Sequence, residues 1–178
     1  MKKLTFILIL LISNLTIGQI EKKSDSLEIW TYSIGNFFNL NAEKIIEKKY
    51  PFKVKAIAGD VITEHLSDSI ENHNNGVWNY LDLNGYSSLK EKYKLDLNAE
   101  IGRIKKAVEI SQMNKIVYKL YSDLEKLNLQ NYTELDKIND NNYNFKVYSF
   151  DLKNLDKEQI LEMKFTVELK SGKTRITE

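Results

Sequence analysis

Residues Glu47–Trp78, EKKYPFKVKAIAGDVITEHLSDSIENHNNGVW, decide how this chain folds. Pro51 ends a helix, because the residue before a proline is pushed out of helical geometry. Phe52–Ala58 then alternates Phe52, Val54, Ala56 and Ala58 with Lys53 and Lys55, the period of a half-buried strand. Gly59-Asp60 turns a corner, and Thr63 stands where a hydroxyl caps the next helix. At about 100° per residue, Ile62, Leu66, Ile70, His73, Val77 and Leu81 share one apolar stripe of that helix. Asn74-Asn75-Gly76 is poor helical material. Val77 and Leu81 nevertheless keep phase with Leu66 and Ile70, so the helix is expected to continue to a terminator at Gly85.

Upstream, Leu27–Ile34 (LEIWTYSI) is rich in β-branched and aromatic residues and reads as a strand ended by Gly35-Asn36. Asn41 is the expected N-cap of a helix over Ala42–Tyr50 that buries Ile45, Ile46 and Tyr50. Strand, helix and strand in this order predict a parallel pair joined by a right-handed crossover.

Downstream, Ser87–Lys94 reads as a short helix, and Leu97 to Leu129 is helical with a drifting stripe. Ile101, Ile104 and Val108 share one face, whereas Ile116, Leu120, Leu124 and Leu127 share another, so a bend or break is expected near Ser111–Asn114. Asn128–Asn144, with six asparagines, reads as a polar loop. Tyr143–Leu152 is a strand, and Asn154–Gln159 a turn. Leu161, Met163, Phe165, Val167 and Leu169 alternate with polar residues, and Ser171-Gly172 turns a hairpin into Thr174–Thr177. The expected fold is α+β: a strand–helix–strand start, a helical middle and antiparallel C-terminal strands, forming one sheet with helices on one face.

The 178 residues suit one domain able to bury a core of its own. A hydrophobic share of 42% with 29% charged residues is globular. The 26 basic and 25 acidic residues interleave, which leaves no basic footprint for nucleic acid. Lys2-Lys3, the apolar run Leu4–Ile12 and the small residues before Gln19 read as a secretory signal peptide, residues 1–18, cleaved after Gly18. The apolar run is too short to span a bilayer. The mature chain 19–178 is therefore expected to be a soluble periplasmic or extracellular domain with no transmembrane segment. The sequence has no cysteine, which excludes disulfides, thiol catalysis, thiolate metal sites and a lipid-modified cysteine.

His73 is the most informative candidate. It reads either as a core histidine bonded to a backbone carbonyl or as a pocket histidine serving as ligand or general base. His65, Asp68 and Glu64 share a helix face at spacings that can hold a divalent metal, or form a solvated row at a helix N-terminus. His65 and His73 lie about 80° apart around the helix, and no HExxH motif occurs. Asp60 and Thr63 sit at a strand end and a helix start, where open sheets collect ligands or where a turn and a cap are needed. Trp78, with Trp30 and the ten tyrosines, offers either an aromatic binding surface or ordinary core. The candidate pocket is thus His73, Asp60, Thr63 and Trp78, with no catalytic constellation and no cofactor motif.

Ile46-Glu47-Lys48-Lys49-Tyr50, followed by Thr63, Asp68-Ser69-Ile70, His73-Asn74, Val77-Trp78-Asn79-Tyr80-Leu81 and Gly85, resembles the FEKKY-domain proteins of bacteria, which are uncharacterised and often exported. Ile46 replaces the name-giving phenylalanine. The resemblance implies an exported module and brings no mechanism. Three functions are compatible with these readings. The first is a non-catalytic module binding a protein or small ligand. The second is a metal-dependent or hydrolytic enzyme using His73, His65, Asp60 and Glu64. The third is an accessory subunit of an envelope complex with an apolar patch near Tyr118–Tyr121 or Trp30–Tyr32.

Overall fold

A computed structural model describes residues 27–32, 36–58, 62–153 and 158–178. The expected signal peptide, the Gly59-Asp60 corner and most of the 154–159 turn lie outside the described residues. The elements in chain order are β1 (Leu27–Tyr32), α1 (Phe37–Ile46), a 3-10 turn (Glu47–Lys49), β2 (Phe52–Ala58), α2 (Glu64–Leu83), α3 (Leu89–Gln112), α4 (Lys115–Lys126), β3 (Gln130–Asn139), β4 (Asn142–Phe150), β5 (Ile160–Glu168) and β6 (Lys173–Ile176). The fold is α+β, as its patterning predicts.

β1 and β2 pair in parallel, with Leu27 opposite Phe52 and Thr31 opposite Ala56. β3, β4, β5 and β6 form a separate antiparallel meander in that order. The strands therefore divide between two sheets instead of joining one. On the side of β1 away from β2, helix α2 supplies the hydrogen bonds that a further strand would make. Asn74 Oδ1 accepts from the Trp30 amide at 2.8 Å, and Asn74 Nδ2 donates to the Trp30 carbonyl at 2.9 Å. Tyr32 donates its hydroxyl proton to Ser67 Oγ at 3.0 Å. Both outward backbone groups of Trp30 are thereby satisfied, and α2 covers that side of β1 at its middle.

α1 begins earlier than the asparagine signal indicates. Asn36 is its N-cap, accepting from the Asn39 amide, while Asn41 turns inside the helix to donate to the Phe37 carbonyl. Phe37 and Phe38 are thereby helical, and the helix stops at Ile46 before the 3-10 turn. Thr63 Oγ1 accepts from Leu66 N and starts α2, which runs through Gly76 unbroken. Helix α3 absorbs the short helix expected at 87–94 and ends at Gln112. Asn114 then caps α4 by accepting from Ile116 N and Val117 N, so the drift in the stripe marks a true break.

The largest correction is β3. Its ten residues form a strand paired along its length with β4, inside the stretch read as a polar loop. Of its inward positions Thr133, Leu135 and Lys137, Leu135 alone is apolar, so the two-residue period is hidden by polar residues on both faces. β4 and β5 alternate as their sequences predict, burying Tyr143, Phe145, Val147, Phe165 and Val167.

Two cores result. The larger lies between the meander and α3, α4 and the start of α1, centred on Ile104, Val117, Phe145 and Phe165. The smaller gathers Ile29, Ile46, Phe52, Val77, Trp78, Leu81 and Tyr93. Ile45 and Leu97 pack against both.

Candidate functional site

The sequence-derived candidates do not converge. His73 is half-buried and belongs to the seam between α2 and β1. Its Nε2 lies 2.9 Å from the Glu28 carbonyl, an acceptor, so that nitrogen carries the proton. Its ring stacks on Trp30 with centroids 3.6 Å apart and planes 6° from parallel. His73 is thus the carbonyl-bonded histidine of the first alternative. Thr63 is occupied as a helix cap. Trp78 is 8% exposed and packs edge-on against Phe52 at 5.2 Å, well inside the smaller core. Asp60 lies outside the described residues. Glu64, His65 and Asp68 are exposed, and among the described residues no group of three His, Cys, Asp or Glu side chains can hold a metal ion.

A sizeable concavity lies elsewhere, over the larger core. A cleft of about 420 Å³ opens between the start of α1, the end of α3, the middle of α4 and the first residues of β3. That volume is within the range of small-molecule sites. Phe37, Val108 and Phe145 supply its apolar walls, and Phe145 is almost fully buried beneath it. The break at Asn114 matters here, because it ends α3 with Ser111 and Gln112 on one wall and lets Tyr121 approach from α4 on another.

The polar groups of the cleft are few. Tyr121 Oη and Thr133 Oγ1 share a hydrogen bond of 3.0 Å, and each retains capacity for a further partner. Ser111 Oγ donates to the Val108 carbonyl at 2.7 Å, which leaves its lone pairs for a donor. Burial raises the Tyr121 hydroxyl above its ordinary value, more than the Thr133 bond lowers it. Partial burial and the nearby Glu134 carboxylate raise Tyr132 similarly. Both phenols are therefore neutral at physiological pH, and no carboxylate, amine or imidazole is among the lining residues. Such a lining holds a ligand by shape and hydrogen bonding and offers no strong acid or base for proton transfer.

A second polar cluster lies beneath the meander. Glu100, in the middle of α3, is completely buried. Its Oε1 accepts from the Tyr143 hydroxyl at 2.6 Å. Its Oε2 accepts from Lys137 Nζ at 2.9 Å and from Arg103, through Nε at 3.1 Å and through Nη2. Burial alone would raise this carboxyl, but the donors from Tyr143, Lys137 and Arg103 outweigh it and hold the group below its ordinary value. In return, burial and the Glu100 carboxylate push the Tyr143 phenol far up.

Neither the cleft nor this cluster is among the sequence-derived candidates. Thr133 and Lys137 are hidden in the apparent loop. Glu100 had a signal: it falls one turn before Ile104 on the same stripe, and a carboxylate among core positions calls for partners. Among the described residues no helix is long and apolar enough to cross a membrane. Comparison of the chain with protein-family models, curated proteins and solved structures finds no match.

Proposed function

We propose that this chain is an exported, non-catalytic binding module of the FEKKY-domain kind. Its ligand is a small, largely apolar molecule with one or two hydrogen-bonding groups. The observation that carries this reading is the 420 Å³ cleft, walled by Phe37, Val108 and Phe145 and fitted with the Tyr121–Thr133 hydroxyl pair. Apolar walls supply affinity through burial, and the hydroxyls select orientation. The neutral lining favours uncharged ligands, because an ion buried there would lose its hydration without a counter-charge.

The test is a saturation-transfer NMR titration with indole as probe, on the mature chain 19–178 and two variants. Tyr121→Phe removes one hydroxyl and keeps the ring. Gln112→Trp places a large ring on the exposed rim. Saturable indole binding, weakened several-fold by Tyr121→Phe and abolished by Gln112→Trp, is expected. No saturable binding, or binding indifferent to both substitutions, rejects the cleft as the ligand site.

A further inference from the structure

A second groove, of about 340 Å³, lies between the end of α1 with its 3-10 turn and the second half of β3 with the turn into β4. Lys44, Lys48, Lys49 and Lys137 line it, opposed by Asp136 and Asp140. The two carboxylates already have partners. Asp136 pairs with Lys146 on the outer face of the sheet at 3.7 Å, and Asp140 with Lys137 at 2.8 Å. Lys137 is also held from below by buried Glu100. Lys44, Lys48 and Lys49 are exposed and make no ion pair among the described residues. Three exposed ammonium groups without a close ion-pair partner therefore line one concave surface.

The turn that carries Lys48 and Lys49 is anchored by hydrogen bonds on either side of them. On either side of Lys48-Lys49, Glu47 Oε2 accepts from the Val54 amide at 3.5 Å, and the Tyr50 hydroxyl donates to Asp96 at 2.8 Å. The Glu-Lys-Lys-Tyr string thus divides its work: its ends anchor the 3-10 turn, and its two lysines are presented to the groove. Two lysines at the end of a helix are also favoured by its dipole.

Asp140 shows what the groove attracts. Its side chain is 83% exposed, yet its carboxyl is held below the ordinary range, first by the Lys137 hydrogen bond and charge and also by Arg103 and Lys49. The main cause is the local Lys137 bond, and Lys49 on the opposite wall adds a smaller effect of the same sign.

We propose that this groove is an anion site for a compact ligand carrying two adjacent phosphate groups, with Asp140 as a built-in carboxylate that such a ligand displaces from Lys137. A monovalent oxyanion adds little where Asp140 already offers one negative charge. A pyrophosphate group brings more charge and offers two anionic ends to a groove lined by Lys137 on one wall and by Lys48 and Lys49 on the other. The site is separate from the apolar cleft and does not depend on it.

The test is isothermal titration of the mature chain with inorganic pyrophosphate at low ionic strength and at physiological salt, with orthophosphate in parallel. Two variants are compared: Asp140→Asn, and the pair Lys48→Gln and Lys49→Gln. All three side chains are exposed, and matching melting temperatures verify the folds. The expected result is one pyrophosphate site, weakened by salt because exposed charges are screened. Asp140→Asn tightens it several-fold by removing the competitor. The lysine pair weakens it by roughly tenfold, at about two- to fivefold per exposed charge contact. Absence of saturable binding, unchanged affinity in the lysine pair, weaker binding in Asp140→Asn, or orthophosphate binding as tightly as pyrophosphate each overturns the proposal.

Discussion

Glu100→Gln is the sharpest single test of how this fold is held together. Glutamine keeps the volume and can still accept from Tyr143, so the change isolates the charge. In the wild type the carboxylate is completely buried and faces Lys137, whose side chain is 12% exposed, and Arg103, 33% exposed. Without it, Lys137 keeps exposed Asp140 as its one ion-pair partner among the described residues, while Arg103 can turn outward into water. Removing one partner of a buried pair costs about 3–5 kcal/mol. Arg103's escape places this site near the lower end, about 3 kcal/mol. For a chain of this length that corresponds to a fall in Tm of roughly 6–12 °C.

The pH dependence supplies a second arm. The folded carboxyl titrates below its ordinary 4.5, so its contribution is complete above that value and is lost as pH falls through the folded pKa. Urea unfolding at a series of pH values from neutral down should therefore show wild type and Glu100→Gln converging in acid. A difference at neutral pH under about 1 kcal/mol, or a gap that stays constant through the acid limb, refutes the argument. The double variant Glu100→Leu with Lys137→Met should recover much of the loss, because well-packed apolar replacements of buried pairs are often neutral or stabilising.

Other expectations follow from named contacts. Trp78→Ala removes the ring against Phe52 and Tyr93 in the smaller core and should destabilise by about 3–5 kcal/mol in urea unfolding. Gly76 is exposed within α2 and an added Cβ meets nothing within 4 Å, so Gly76→Ala should stabilise by about 0.5–1 kcal/mol in the same assay. His73→Ala loses both the Trp30 stack and the Glu28 bond, and should lower Tm while leaving indole and pyrophosphate affinities unchanged. If the first eighteen residues direct export, mass spectrometry of protein recovered from a bacterial periplasm should give an N-terminus at Gln19.

The elements that the sequence reveals are those whose burial is one-sided and apolar. β5 shows every inward residue as hydrophobic, and α2 keeps Ile70, Val77 and Leu81 in phase across the Asn-Asn-Gly interruption. β3 is obscured because a lysine occupies one of its inward positions. Its buried partner Glu100 meets it from a helix 37 residues away, a pairing that no local pattern contains. α1 is misplaced by a few residues because two asparagines compete as caps, and the winner is the one that lets Phe37 and Phe38 reach the core. His73 was legible as one of two alternatives, and its resolution required Glu28 and Trp30 from a distant strand. Of the cleft, the sequence singled out only Tyr121, as part of an expected apolar patch near Tyr118–Tyr121. The walls of the cleft come from five elements, and its polar residues are ordinary ones made notable only by meeting.

The amide of Asn74 has a consequence beyond the stability of one helix contact. By occupying both the N–H and the C=O of Trp30, it blocks the middle of β1 as a template for strand addition. The sequence beside it, LEIWTY, is apolar, aromatic and nearly uncharged, the kind of segment that stacks into intermolecular sheets when its backbone is left open. Asn74→Ala would therefore do more than loosen α2: it would unseal a strand. Its signature would be concentration-dependent assembly at temperatures where the monomer is still folded, making this side chain a guard on solubility as much as a brace of the fold.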